Sequence, residues 1–218
     1  IRGVVLNIRE ISARKQAEND AFNSAKMSYN ASLRDTVMVV DNPIVPRNMI
    51  LGSGHTSGPL WPRFTWGDLG QYHTFAVVLA GHECAAINTI YFNKDALTLD
   101  GLGHVIAPAK YCQANGTPLF TIRKYLGGSG QTAAPELIAA AAASGNPAAW
   151  DASRVGTELC YITVEFQADF DVLGDIGLPK VSADVDGVLA TDRRTGTRAF
   201  TRNPAVLADW FMTECRYS

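Results

Sequence analysis

The stretch from Tyr72 to Asn93, YHTFAVVLAGHECAAINTIYFN, constrains this chain more than any other. Phe75, Val77 and Leu79 alternate with Thr74, Ala76, Val78 and Ala80. Both sides of the period-2 pattern are apolar, one large and one small. That predicts a strand covered on both faces in the middle of a sheet. Gly81-His82-Glu83 interrupts the run, and Ile87 to Phe92 resumes it with β-branched and aromatic residues. Asn93-Lys94-Asp95 reads as a turn. Two strands this apolar need the rest of the chain to cover them.

The remainder supplies that cover. With 218 residues, the chain is long enough to bury a sizeable core. Glu158 to Phe166 places Cys160, Ile162, Val164 and Phe166 on one side, and Leu159, Tyr161, Thr163 and Glu165 on the other, as a half-buried strand. Val181, Ala183 and Val185 alternate with Ser182, Asp184 and Asp186. Asp186-Gly187 then signals a hairpin, with Val188 to Ala190 as the return strand. Shorter strands are expected at Gly3–Ile8, Thr36–Val40, Asn48–Gly52 and Phe120–Tyr125, and a short hairpin within Asp95–Asn115. Leu60–Gly70, with Trp61, Phe64 and Trp66 among Pro62, Gly67 and Gly70, is too irregular for a strand and reads as a wide aromatic loop.

Helices are fewer. Ser12 to Asp35 has no Gly or Pro and carries a narrow apolar stripe of Phe22, Ala25, Tyr29 and Leu33. Its first turns are polar nearly all round, so it lies on the surface, either solvated or docked on a neighbouring subunit. Pro135 to Ala143 is a short helix stopped by Ser144-Gly145-Asn146-Pro147. Asn203-Pro204 starts another, with Val206, Leu207, Trp210 and Phe211 as its stripe. The fold class is therefore α+β and β-rich: an antiparallel barrel or sandwich with a long N-terminal helix and short peripheral helices. The expected organisation is residues 1–35 as a strand and connecting helix, and 36–218 as a β-rich domain. Any subdivision of that domain falls near 127–150.

Chemistry is weakly signalled. His82-Glu83 does not open an HExxH motif, because Ala86 stands at the last position. His55, His73, His82 and His104 are scattered. The run Asp169, Asp171, Asp175 lacks the closing Glu of a calcium loop, since Lys180 stands there. GSGHTSG from Gly52 to Gly58 lacks a phosphate-binding Lys. The four cysteines, Cys84, Cys112, Cys160 and Cys215, show no CxxC spacing and read as buried free thiols. No catalytic, cofactor-binding or metal-binding residue is expected, and no cofactor. A net charge of −2 offers no basic face for nucleic acid. No apolar run approaches the length of a membrane span. The opening on Ile1 reads as a fragment of a longer protein.

A resemblance sharpens this reading. Tyr72, His73, Leu79-Ala80-Gly81-His82-Glu83, Ile87 and Ile90-Tyr91-Phe92-Asn93 fall on a segment of the tail-tip central hub proteins of lambda-like phages, the host-specificity or tip-attachment family. Gly52 and Ser57-Gly58-Pro59 match a second block, with Leu51, Ser53 and His55 departing from it. Gly177, Pro179, Ala183, Val185, Gly187, Asp192, Arg194-Thr195-Gly196, Asn203-Pro204-Ala205 and Asp209 match a third. The blocks are colinear from about Arg14 to the end. The resemblance implies a β-barrel hub module of a virion tail tip, made in the bacterial host, trimeric, and in contact with other tail proteins. It implies no enzymatic role. Candidate assembly surfaces are the helix Ser12–Asp35 and the aromatic loop Leu60–Gly70. Two other classes stay open. A tail-associated cell-wall hydrolase would gather a carboxylate pair or a Cys-His pair in a cleft. A carbohydrate-binding sandwich would line a groove with Trp61, Trp66 or Trp150.

Overall fold

The computed structural model describes residues 15–24, 28, 47–68, 70–169, 172–174 and 178–214. The expected strands Gly3–Ile8 and Thr36–Val40 lie outside these, as does Cys215. Residues 15–24 form a helix, α1, exposed along its whole described length. The body is two antiparallel sheets. One runs β1 (Ser53–Thr56), β10 (Val181–Asp192), β4 (Cys84–Phe92), β5 (Asp95–Ala96), with β11 (Thr197–Phe200) on the far end of β10. The other runs β2 (Leu60–Trp66), β3 (Tyr72–Ala80), β9 (Cys160–Gln167), β8 (Phe120–Tyr125). A small hairpin, β6 (Thr98–Leu99) with β7 (Val105–Ala107), stands apart. The fold is β-rich α+β, as the patterning predicts.

The two faces read from β3 separate as expected. Phe75, Val77 and Leu79 enter the core between the sheets, where they join Ile87, Ile90 and Phe92 of β4, Ile162 and Val164 of β9, and Val181, Ala183 and Val185 of β10. Ala76 and Val78 face outward, yet they are buried too. Helix α2 (Pro135–Ala143) lies over them and brings Leu137, Ala140 and Ala141, with Trp150 beside it. Small residues on this face let the helix approach the sheet closely. A third cluster forms where helix α3 (Pro204–Thr213) sets Val206, Leu207 and Trp210 on Val188 and Ala190 of β10.

Several expectations need correction. Asn48–Gly52 is not a strand; the strand starts at Ser53. Leu60–Trp66 is a strand, paired with β3. It tolerates Pro62 because it is an edge strand, and its register slips between Leu60 and Arg63, where proline offers no N–H to the ladder. β9 is not half-buried: Tyr161 and Thr163 are covered by α2 and its neighbours. Asp186-Gly187 is not a hairpin. β10 runs through it, and the chain reverses at Asp192–Gly196 before β11. Phe211 is half exposed and off the stripe. The helix at Pro135–Ala143, the Asn203 cap, the Asn93 turn and the hairpin within Asp95–Asn115 stand as read.

Burial of β3 also carries a polar group inward. His73 is 1% exposed and stacks on Phe166 at 4.9 Å between centroids. Its Nδ1 lies 3.4 Å from the Thr65 hydroxyl. Burial, helped by the nearby Arg63 charge, holds its pKa down to about 4. The unfolded chain titrates this imidazole near 6.5, so between about 6.5 and 4 the unfolded state binds the extra proton. Stability is therefore intact above 6.5, falls as pH drops through that window, and levels off below about 4. The loss is on the order of 3 kcal/mol. Denaturant unfolding of wild type and His73→Phe across this range should show the wild-type slope flattened in the variant. Parallel curves would rule out His73 as its source.

Candidate functional site: the crossover between the sheets

Ala80 ends β3 in one sheet and Cys84 begins β4 in the other. Three residues, Gly81-His82-Glu83, carry the chain across. Around them gather segments distant in sequence. Gly81 N–H donates to Asn48 O at 3.0 Å. Ile50 N–H donates to His82 Nε2 at 2.9 Å. Val188 N–H donates to Ile50 O at 3.0 Å, and Gly187 N–H to Gly52 O at 2.7 Å. The strip 48–52 is thus held from one side by the crossover and from the other by β10.

His82 is the centre of this knot. It is 9% exposed, and its ring meets Trp210 of α3 edge-on at 6.0 Å. Nε2 accepts the Ile50 N–H, so it carries no proton. Nδ1 lies 2.8 Å from the Glu83 carbonyl and must carry the hydrogen that this oxygen accepts. Burial works against an imidazolium here. The Cys84 thiol and the Glu83 carbonyl work for one, and on those counts alone the ring would titrate above its usual range. The Ile50 N–H, which needs a bare Nε2, tips the balance to the neutral ring. Cys84 Sγ lies 3.8 Å from Nδ1. The structure therefore does bring a thiol and an imidazole together. Both ring nitrogens are committed to backbone groups, however, and Cys84 is 1% exposed. An imidazole so held has no free lone pair for the thiol proton.

The glycines explain the close fit. A Cβ on Gly187 would lie 1.9 Å from Ile50 O, and one on Gly58 would lie 1.6 Å from Val78 O. This is why Gly187 sits inside β10 without making a turn: it leaves room for the strip crossing it. Arg202 Nε donates to Ser53 Oγ at 3.0 Å, and Ser53 donates to Asp186, which joins the entrance of α3 to β1 and β10. Asn203 Oδ1 accepts Ala205 N–H at 3.0 Å and caps α3.

Beside the knot lies a cavity of about 400 Å³, lined among others by His82, Glu83, Glu158, Arg198, Trp210 and Glu214. Arg198 donates to Glu83 at 2.7 Å, so the acid of the His82-Glu83 pair serves an ion pair at the rim. Cys84 does not line this cavity. Among the described residues no group of three or more His, Cys, Asp or Glu is arranged to hold a metal ion. His55 pairs with Asp184 at 2.8 Å and His104 with Asp100 at 2.8 Å, both far along the chain from His82. Asp169 accepts from Gln113 at 3.3 Å, while Asp171 and Asp175 lie outside the described residues. Trp61 and Trp150 share a small apolar cleft of about 10 Å³, too small to seat a sugar ring, and Trp66 does not line it. Trp150 is buried under the half-exposed Trp61 at 5.1 Å, and Trp66 stacks on Tyr72 at 4.3 Å.

One buried ionisable group escaped the sequence. Glu136, in the first turn of α2, is 6% exposed. It accepts the Tyr125 hydroxyl at 2.9 and 3.0 Å and the Thr163 hydroxyl, with Arg123 at 3.8 Å. Burial and this carboxylate push the Tyr125 phenol up. The signal was a lone acid in an otherwise apolar helix, which periodicity alone assigns to solvent.

No family model and no curated protein matches the chain. Among solved structures, a chain from the virion of a native gene transfer agent particle aligns with a TM-score of 0.36 and 15% identity. The alignment covers 88% of this chain and 44% of that one, so this chain spans less than half of its neighbour's length. At that score the likeness does not establish a shared fold.

The knot makes two measurable demands. His82→Ala leaves the buried Ile50 N–H unpaired and should cost roughly 2–4 kcal/mol in denaturant unfolding. Gly187→Ala drives a methyl into the Ile50 carbonyl and should cost more than about 3 kcal/mol. Gly101→Ala, where an added Cβ meets nothing within 4 Å, serves as the control and should stay within about 0.5 kcal/mol of wild type. Equal behaviour of the two glycine variants would show that the crossing is looser than these distances imply.

Proposed function

We propose that this chain is a structural module of a phage-type tail tip, a hub piece that assembles with copies of itself and with neighbouring tail proteins, and does not catalyse a reaction. One observation carries the reading. The residues that give the sequence its resemblance to tail-tip hub proteins lie far apart in the chain: Gly52, Gly58, Gly81-His82-Glu83, Gly187 and Asn203-Pro204. Their parts of the chain are tied together by the crossover knot and by α3 against it. They serve fit: Gly58, Gly81 and Gly187 stand where a Cβ has no room, Gly52 takes a left-handed φ of 77°, His82 bridges two backbone groups, Glu83 holds Arg198, and Asn203 caps a helix. Motif residues used this way support a scaffold; a catalytic set would leave reactive atoms pointing into a cleft.

The exposed apolar residues support assembly. Leu102 and Ile106 stand on the β6–β7 hairpin region, Trp61 on the edge strand β2, and Phe211 and Met212 on the outer side of α3. Helix α1 is exposed throughout, with Phe22 among its outward residues. A ring of subunits needs self-complementary surface of this kind. The virion location, the trimer and the tail-protein partners belong to this same reading.

Native mass spectrometry with sedimentation velocity, on this chain and on any longer protein containing it, tests the proposal. The expected species at micromolar concentration has the mass of three copies. A single-copy mass at every concentration, in the longer protein too, would sink the hub reading.

A further inference from the structure

We propose that Cys84 and Cys160 are a dithiol–disulfide couple, able to close a covalent bridge between the two sheets by exchange with a small disulfide. The placement comes from the ladders. Cys160 starts β9 opposite Ala80, four residues before Cys84 in the chain. On the other side of β9, Tyr125 pairs with Tyr161, which sets Leu126 level with Cys160. Cys84 N–H donates to that same Leu126 carbonyl at 2.9 Å. Cys84 is thus held against both strands that flank Cys160. The two thiols are in hydrogen-bonding contact, in the core shared by both sheets.

No other described cysteine competes. Cys112 is buried elsewhere, its thiol donating to Val105 O at 3.3 Å. Polarity in the pair is uneven. The Cys160 thiol donating to it holds Cys84 down, against the burial that would raise it. The same contact, with burial, pushes Cys160 up. Where the folded pair opens locally, Cys84 attacks first and Cys160 resolves; during folding either sulfur can take the first step, with the same product. The Cys84 thiolate attacks one sulfur of a small disulfide, forms a mixed disulfide and expels a thiolate. That thiolate takes the Cys160 proton and leaves as a thiol. The Cys160 sulfur then attacks the Cys84 sulfur and expels the second thiolate, which takes up from solvent the proton that Cys84 released on ionising. Two cysteines lose two electrons between them, and one small disulfide becomes two thiols. Since both cysteines are at most 1% exposed, exchange takes place during folding or local opening, and the finished bridge is shielded from reductant.

The test is to refold the reduced chain with oxidised glutathione in excess over reduced glutathione, then alkylate in denaturant and map the peptides. The expected product has lost its two thiol hydrogens, with Cys84 and Cys160 in one linked peptide. Its Tm lies about 10 °C above that of the reduced chain, and dithiothreitol reverses both changes. Cys84→Ala and Cys160→Ala should each abolish the linked peptide and the rise in Tm. Alkylation of both cysteines after refolding, a link through Cys112 or Cys215, or a linked form no more stable than the reduced one would each overturn the proposal. The oligomeric mass is read separately, so this inference stands or falls independently of the hub reading.

Discussion

The structure depends on one strand-like strip being gripped at a single residue. Ile50 gives its N–H to His82 and its carbonyl to Val188. Those two bonds tie the end of one sheet to the middle of the other. Without them the strip 48–52 would bring unpaired backbone groups into a partly buried crossing, where each costs about 1–3 kcal/mol. The arrangement works because its neighbours give up volume. Gly187 has no side chain where Ile50 O passes, and Gly58 has none where Val78 O passes. An imidazole suits the centre because it can accept on one nitrogen and donate on the other while its ring packs on Trp210.

A second constraint follows from covering both faces of the β2–β3–β9–β8 sheet. Its inner face has the opposing sheet. Its outer face has only α2 and the turn carrying Trp150, so polar residues there had to find partners within reach. Glu136 meets the Tyr125 and Thr163 hydroxyls, and Arg123 stands nearby. A buried carboxylate is costly unless it is bonded in this way. The result is a helix located by a polar contact as well as by its alanines, and hence a defined position on an otherwise small-residue surface.

These two constraints leave the chemistry of the crossover mostly structural. His82 and Cys84 are neighbours, yet the imidazole is committed to the backbone on both sides. Glu83 is held by Arg198. The sulfur of Cys84 meets Cys160 in the core, where proximity comes from two ladders and one backbone hydrogen bond.

Much of the fold was legible because it is local. Alternation named both faces of β3 and the inner face of β9, and Asn203-Pro204 and Pro135 marked helix starts, since periodicity and capping act over a few residues. What could not be read was set by residues distant in sequence. Gly187 looks like a turn glycine until Ile50 is laid across it. Leu60–Trp66 looks irregular until β3 offers it a ladder. Glu136 looks solvated until two hydroxyls close on it. Sequence by itself determined the long apolar strands β3, β4 and β9 and the helices α2 and α3, and that their apolar faces needed burial. Only the tertiary structure decided which sheet each strand joined and which polar groups met at the crossover, because those choices depend on space and hydrogen-bond partners supplied by other parts of the chain.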